Sequence, residues 1–180
     1  MKSTPTSLPG VLVLEPKVFS DERGFFLESY NEKVFADLGI RERFVQDNQS
    51  FSKQGVVRGL HYQAVHPQGK LMRAVSGEIF DVAVDLRKSS PTFGQWHGEI
   101  LSAENKRMLW IPVGFAHGFS VLSPGAQVLY KTTDFYHPES ERTILWNDAQ
   151  LRIDWRLKGE PTVSAKDLIG VALRDAEIFE

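Results

Sequence analysis

Short apolar runs recur along most of the chain, and turn-forming residues separate them. Runs of this length that are rich in β-branched and aromatic residues are typical of strands rather than helices. Clusters of serine, proline and glycine at 88–91 and 123–125 supply two of the intervening turns. Many short strands at this spacing predict an all-β sandwich or barrel. The predicted strands span residues 11–14, 25–30, 44–46, 56–63, 71–75, 79–86, 97–101, 108–111, 119–122 and 127–132.

Two segments depart from the strand pattern and predict short helices. Asn31 is a favourable N-cap, apolar residues recur on one face over 32–38, and Gly39 can end the helix. A second short helix is predicted near 165–169, within a more polar C-terminal stretch. No internal repeat, low-complexity tract or linker interrupts the pattern, which predicts a single domain over residues 1–180.

The composition argues against several classes of function. The 21 basic and 23 acidic residues nearly cancel, so the chain has no basic footprint for nucleic acid. It contains no cysteine, which excludes disulfides, thiolate metal sites and cysteine nucleophiles, and fits a reducing compartment. The N-terminus lacks the apolar core of a signal peptide, and no apolar run is long enough to span a membrane. These features predict a cytoplasmic protein with no membrane partner.

Two histidine-containing stretches carry the strongest chemical signal. Residues 55–63 read Gly-Val-Val-Arg-Gly-Leu-His-Tyr-Gln, and residues 111–119 read Ile-Pro-Val-Gly-Phe-Ala-His-Gly-Phe. Together they resemble the two halves of the cupin signature, in which His61 and His117 occupy metal-ligand positions. Gln63 stands where the signature has a further histidine, and an amide oxygen is a poor ligand for a soft divalent metal. The resemblance therefore implies a cupin-type jelly roll that has no metal and uses His61 as a general base.

Strand parity limits how His61 can be used. In a regular strand His61 and Gln63 share one face, whereas Arg58 points to the other. A pocket that contains both Arg58 and His61 needs a kink or bulge, and Gly59 is placed to allow one. A lone histidine in an apolar strand is more often a core residue, but burying Arg58 and His61 together without a function would be costly.

Four other residues have ordinary interpretations when each is taken alone. His117 is as readily a buried histidine that holds the preceding turn as a ligand-contacting residue. Lys70 would be a solvated surface residue at the start of a strand, and Tyr130 an ordinary strand residue. Asp167 would be an exposed residue at the beginning of the second predicted helix.

A more specific resemblance covers residues 11–167. Ten stretches carry it, residues 19–30, 45–48, 58–63, 68–70, 80–87, 90–96, 101–105, 111–119, 129–132 and 164–167. Each stretch is weakly specific alone, but their common order makes chance a poor explanation. In order and number they resemble the dTDP-4-dehydrorhamnose 3,5-epimerase family, the metal-independent cupins of the rhamnose pathway.

The resemblance implies roles for individual residues. His61 would accept the proton, and Asp167 would orient the imidazole of His61 or favour its charged form. Tyr130 would donate a proton, and Lys70 would lie near the keto oxygen. It also implies a homodimer that exchanges N-terminal strands, with no cofactor and no metal. An aromatic such as Tyr136 could stack on the thymine. The residues expected to contact the nucleotide-sugar are Arg23, Glu28, Gln46, Asn48, Arg58, Lys70, His117, Glu141 and Lys166.

The reaction implied is epimerisation of dTDP-4-keto-6-deoxy-D-glucose at C3 and C5, through an enolate, to dTDP-4-keto-L-rhamnose. Three alternatives stay open from the sequence. A relative could epimerise one carbon only, or could catalyse 3,4-ketoisomerisation of a related dTDP-linked 4-keto sugar. A metal-dependent cupin enzyme would use His61 and His117 as ligands. A non-catalytic cupin would bind the sugar without proton exchange.

Overall fold

β-Strands make up most of the computed structural model, which describes residues 1–180. The helices are α1 (Glu32–Asp37), α2 (Ala165–Leu168) and two 3-10 turns, Pro138–Ser140 and Leu173–Asp175. None of them is long and apolar enough to cross a membrane. The strands are β1 (Lys2–Pro5), β2 (Leu12–Glu15), β3 (Val18–Asp21), β4 (Gly24–Leu27), β5 (Gln46–Lys53), β6 (Val56–Gln63), β7 (Lys70–Ser76), β8 (Glu78–Asp85), β9 (Trp96–Ser102), β10 (Met108–Ile111), β11 (Phe115–Val121), β12 (Gly125–Thr132), β13 (Glu141–Thr143) and β14 (Thr162–Val163).

Two sheets pack face to face and enclose the main core. Sheet I has the order β1-β2-β10-β7-β12-β5, and sheet II has the order β13-β6-β11-β8-β9, with β14 paired in parallel to β6. A cluster of fifteen buried apolar residues, including Met72 and Leu109 of sheet I and Ile79 of sheet II, fills the space between them. This arrangement confirms the predicted all-β sandwich with a few short helices.

The outer faces of the two sheets are covered differently. The C-terminal segment packs Leu151, Trp155 and Leu173 against the outer face of sheet II. Because both its faces are covered, β11 is buried at every position. On sheet I, Phe35 of α1 and Trp110 of β10 belong to a smaller cluster. The hairpin β3–β4 pairs with neither sheet.

The hydrophobic pattern located most elements but misplaced several ends. The strands predicted at 56–63 and 108–111 have the predicted bounds, and both helices form. The strand predicted at 44–46 is wrong, since β5 spans Gln46–Lys53, where polar side chains alternate and leave little apolar signal. The strand predicted at 119–122 begins earlier, at Phe115, because the glycine of residues 115–121 interrupts the apolar run. The pattern missed β1, β3, β13 and β14, which are short.

Candidate active site

A central pocket opens between the two sheets. It has two adjoining lobes with cavity volumes of about 280 and 250 Å³. One lobe is completed by Gln46, Asn48, Gln68 and Thr132, and the other by Ser50, Arg58, Met72, His117 and Phe119. The residues that line both lobes are His61, Lys70, Tyr130, Tyr136 and Glu141.

A bulge at Gly59 brings Arg58 and His61 into the same pocket. His117 of β11 pairs with His61, but Phe119 pairs with Arg58, so β6 carries one extra residue over this interval. Gly59 has a φ of +118°, and a Cβ there would lie 2.6 Å from the Cα of Gly118. Only glycine fits this close strand approach. The predicted kink is therefore confirmed. It shifts the alternation of side chains along β6, which in a regular strand would place Arg58 and His61 on opposite faces.

His61 and Asp167 form a hydrogen-bonded pair. Nε2 of His61 lies 2.5 Å from Oδ1 of Asp167, and Oδ2 of the same carboxylate accepts the backbone N–H of Gly59 at 3.2 Å. Burial alone would raise the pKa of Asp167, but the hydrogen bonds and the charge interaction with His61 outweigh it, so the pKa lies below its usual value. Asp167 is 2% exposed, so the surface position expected from its sequence context alone is wrong.

A second histidine–carboxylate pair lies deeper in sheet II. Nε2 of His117 is 2.7 Å from Oδ1 of Asp81, and both side chains are buried. Burial lowers the pKa of His117, although the charge of Asp81 opposes the shift. Oδ2 of Asp81 has no hydrogen-bond partner. Sequence reasoning missed Asp81, whose only signal is a carboxylate inside the apolar run 79–86.

Lys70 contributes a cation from the facing sheet. Its ammonium lies 3.4 Å from the carbonyl oxygen of His61 and forms no ion pair. Burial lowers the pKa of Lys70 to about 8, although the charges of Glu141 and Asp81 oppose the shift. The solvated surface position expected for an isolated lysine is therefore wrong. Near neutral pH the pocket holds a positive charge that is poorly neutralised by the protein.

Tyr130 reaches the pocket from β12 of sheet I, whereas His61 reaches it from β6 of sheet II. Burial raises the pKa of Tyr130, although the charge of Arg58 opposes the shift. The phenol therefore keeps its proton at neutral pH. A histidine and a protonated phenol thus enter one cavity from opposite sheets.

Polar groups surround the mouth of the pocket. The hydroxyl of Tyr136 donates to Oε2 of Glu141 at 2.7 Å, and the ammonium of Lys166 pairs with the same carboxylate oxygen. The backbone N–H of Tyr136 donates to Oε1 of Gln46 at 3.1 Å, and Nε2 of Gln46 donates to Asn48 at 2.9 Å. These contacts place five predicted or suggested binding residues side by side.

Comparisons with known proteins agree on one family. The family model for dTDP-4-dehydrorhamnose 3,5-epimerase matches residues 5–175. A dTDP-4-dehydrorhamnose 3,5-epimerase of Pseudomonas aeruginosa is 61% identical over 180 residues, which cover 99% of this chain and 99% of the relative. The chain belongs to this family. Its function is 3,5-epimerisation in dTDP-rhamnose biosynthesis, and the family predicted from the sequence is confirmed.

Solved structures of family members share the fold. A dTDP-6-deoxy-D-glucose-3,5-epimerase of Legionella pneumophila, in complex with dTDP-4-keto-L-rhamnose, is 54% identical with a TM-score of 0.95, covering 97% of this chain and 93% of the relative. A 3′-monoepimerase of Streptomyces bikiniensis, in complex with dTDP-quinovose, is 32% identical with a TM-score of 0.90, covering 96% and 88%. The cupin-type fold is thus confirmed, and a single-carbon epimerase also uses it.

Two predicted binding residues of this epimerase lie away from the central pocket. Arg23 sits at the turn of the β3–β4 hairpin, has a side chain 85% exposed, and pairs with Asp21. Glu28 follows β4, is exposed, and accepts a hydrogen bond from Asn31 at 3.0 Å. Neither residue lines either lobe of the pocket formed by this chain.

Gln63, at the altered metal position of the cupin signature, makes backbone contacts. Its Nε2 donates to the carbonyl oxygens of His66 at 2.6 Å and Phe135 at 3.2 Å, and its Oε1 accepts the N–H of His137 at 2.8 Å. The side chain is buried and its amide is fully engaged. Gln63 therefore ties two loops together and lines neither lobe of the pocket.

Proposed function

We propose that this epimerase acts on dTDP-4-keto-6-deoxy-D-glucose, with His61 as the base, Tyr130 as the acid and Lys70 beside the C4 oxygen. The observation that carries the proposal is that His61, which is hydrogen-bonded to Asp167, and Tyr130 enter one pocket from opposite sheets. Epimerisation needs a base on one face of the sugar ring and a proton donor on the other.

The first step is removal of a proton next to the C4 carbonyl. The C–H bond breaks, its proton passes to His61, and its electrons delocalise onto the carbonyl oxygen as an enolate. With Asp167 as an anion, Nε2 of His61 carries the proton of the neutral ring and Nδ1 remains the free base. The carboxylate also favours the imidazolium that forms.

Lys70 supports the enolate. Its ammonium is not neutralised by an ion pair, so it can donate to the oxyanion that develops at C4. Its pKa of about 8 keeps it mostly protonated at neutral pH. A preorganised donor of this kind contributes on the order of 10²–10³ in rate.

Tyr130 completes inversion by donating its phenolic proton to the opposite ring face. The carbanion carbon gains that proton, the C4 carbonyl re-forms, and Tyr130 is left as a phenolate. His61 then releases its proton to solvent, and the phenolate of Tyr130 takes up a proton, which resets the site. The same sequence at the second carbon completes the reaction.

The nucleotide part of the substrate is assigned to the pocket mouth. Arg58 and Lys166 supply positive charge for the diphosphate, and arginine can bind phosphate in a bidentate manner. His117 lines the pocket as a predominantly neutral hydrogen-bonding group. The exposed ring of Tyr136 offers a stacking surface for thymine. The remaining polar contacts are assigned to Gln46, Asn48 and Glu141.

We further propose that two copies of this single-domain chain form a homodimer that completes each pocket. Phe25 and Phe26 are 60% and 69% exposed on a hairpin that pairs with neither sheet. Such apolar exposure is typical of a surface covered by a partner. Docking of this hairpin on the second copy would carry Arg23 and Glu28 to the partner's pocket.

The reaction is assigned to the cytoplasm, which fits the absence of cysteine.

The test of the reaction is NMR of the nucleotide-sugar in D₂O with EDTA present. Deuterium should enter at both C3 and C5, and EDTA should leave both rates unchanged. Exchange at one carbon only would identify a single-site epimerase, and loss of exchange in EDTA would identify a metal-dependent enzyme. Binding of dTDP without exchange would indicate a sugar-binding protein.

Light scattering tests the proposed dimer, and a fully active monomer would contradict that proposal.

A further inference from the structure

Two histidines and an aspartate converge beside the central pocket without lining it. Each of His66, Asp134 and His137 offers one ligand atom, and the three atoms lie within 4.8 Å of one another. Their side chains are 52%, 36% and 32% exposed, so a cation from solvent can reach all three. The proposed epimerisation uses none of them.

The side chains of this cluster already face one another. The imidazole rings of His66 and His137 stack with centroids 4.2 Å apart and planes 18° apart. Nδ1 of His66 lies 3.7 Å from Oδ2 of Asp134. Nδ1 of His137 lies 3.4 Å from Oε1 of Glu139, an exposed carboxylate that could add a further ligand.

The backbone that carries the cluster is held by buried hydrogen-bonding groups. The amide of Gln63 binds both histidine residues, through the carbonyl oxygen of His66 and the N–H of His137. His66 has a φ of 58°, an uncommon conformation for a residue with a side chain. The carbonyl of Asp134 accepts hydrogen bonds from Gln68 at 2.8 Å and Thr132 at 2.9 Å. The two histidine-bearing loops are therefore positioned before any ligand arrives.

The remaining acceptor of Asp134 is free to bind a cation. Its Oδ1 accepts the N–H of Phe135 at 2.8 Å, whereas Oδ2 faces His66. This bond fixes the orientation of the carboxylate, as outer contacts do for metal-binding residues.

We propose that His66, Asp134 and His137 bind one divalent transition-metal ion, for which Zn²⁺ is the best match. Two imidazoles and one carboxylate are a ligand set that Zn²⁺ accepts, with a water in the fourth position. Imidazole disfavours Mg²⁺ and Ca²⁺, which prefer oxygen ligands. Tetrahedral Zn²⁺ needs ligand atoms roughly 3.4 Å apart, given bond lengths of about 2.1 Å. The ligand atoms now lie within 4.8 Å of one another, so binding requires rotation of these exposed side chains to close that spacing.

The ion would link the loop at His66 to the segment 134–137, which contains Tyr136. Its role is therefore to brace one wall of the pocket mouth, and the proton transfers proceed without it. The proposed site is separate from the cupin position, where the amide of Gln63 is occupied by backbone contacts.

The experiment is calorimetric titration of ZnCl₂ into EDTA-treated, dialysed and untagged protein. The wild type should bind one Zn²⁺ per chain with a Kd in the micromolar range or tighter. Loss of a residue that only hydrogen-bonds to a metal ligand weakens metal binding roughly 10- to 100-fold. His66→Ala and His137→Ala remove ligands themselves, so each should weaken Zn²⁺ binding by more than that. Circular dichroism should show that both variants remain folded. Asp134→Asn, a more conservative change, should weaken binding without altering the spectrum.

A matched control is His97→Gln, which removes a histidine of β9 outside the cluster and should leave the Zn²⁺ affinity unchanged. His66→Ala should also retain wild-type epimerase activity in EDTA. The proposal is wrong if the wild type does not bind Zn²⁺ at up to millimolar concentration. It is also wrong if the His66 and His137 variants bind as tightly as the wild type, because the ion would then lie elsewhere, for example between His61 and His117.

Discussion

Asp167 holds His61 and the backbone of Gly59 with the same carboxylate. One oxygen lies 2.5 Å from Nε2 of His61, and the other accepts the N–H of Gly59 at 3.2 Å. Asp167 is 106 positions from His61 and 108 from Gly59 in the chain, so the C-terminal helix α2 fixes both the histidine and the bulge beside it. The orientation of the His61 ring and the shape of its strand therefore depend on one buried side chain.

Asp167→Asn should lower kcat strongly while leaving dTDP binding nearly unchanged. The asparagine is similar in shape, but it removes the negative charge and can donate to His61, which favours the wrong tautomer. The expected loss is about 10²–10⁴-fold, the usual contribution of acid–base catalysis. Steady-state kinetics and dTDP calorimetry measure the two effects. Asp37→Asn, on the exposed helix α1, is a matched control that should retain full activity.

The charge on Lys70 should produce a decline of kcat/KM above about pH 8. Burial lowers the pKa of Lys70 to about 8, so the ammonium is lost as the pH rises through that value. Tyr130 does not account for this decline, since burial raises its pKa above the ordinary value of 10.0. Lys70→Met should reduce kcat/KM by roughly 10²-fold and abolish the decline. Persistence of the same decline in this variant would assign it to another group.

Protein stability provides an independent test of the Lys70 environment. The folded-state pKa of about 8 lies below the ordinary lysine value of 10.5, so between these pH values the unfolded state binds more protons. The free energy of unfolding should therefore rise with pH across that window in the wild type, relative to Lys70→Met. Below pH 8 both states are protonated, and the cost of burying the charge is fully present. Urea denaturation at a series of pH values measures the difference.

Gly59→Ala should destabilise the fold and disable the site together. Its φ of +118° disfavours a side chain, and the new Cβ would lie 2.6 Å from the Cα of Gly118. Backbone strain and overpacking together should cost about 2–5 kcal/mol. Gly55→Ala is a control with a φ of +78° and no atom within 4 Å of the added Cβ. It should cost about 1–2 kcal/mol, and equal losses in urea denaturation would contradict the steric argument.

Local sequence patterns were sufficient where one residue or one strand determines the outcome. The kink at Gly59 followed from strand parity once Arg58 and His61 were expected in one pocket, because a regular strand points them to opposite faces. The cap at Asn31 and the apolar face that follows located α1. These features depend on neighbours in the chain, so the sequence records them directly.

Contacts between distant segments could not be read in the same way. Asp167 has the local sequence of an exposed helix-start residue, yet packing of α2 against β6 buries it. Asp81 lies in an apolar strand, and its pairing with His117 depends on how β8 and β11 align. Their positions are set by the tertiary fold. The family resemblance implied a role for Asp167 but did not indicate Asp81.

Tyr130→Phe should separate exchange from inversion. The change removes only the hydroxyl, so the pocket should keep its shape and bind dTDP. Deprotonation by His61 does not require Tyr130, and His61 can return a proton to the face from which it came. Solvent deuterium should therefore enter the substrate, while formation of inverted product falls much further. An undiminished rate of inversion at both carbons would show that Tyr130 is not the acid.

The most direct test of the central claim is proton exchange by His61→Ala in D₂O, followed by NMR at C3 and C5. His61 is assigned as the base for both carbons, so no deuterium should enter at either position. Binding of dTDP should stay close to that of the wild type, because the imidazole is not assigned to the nucleotide. Exchange at the wild-type rate in this variant, or loss of dTDP binding with exchange retained, would contradict the account.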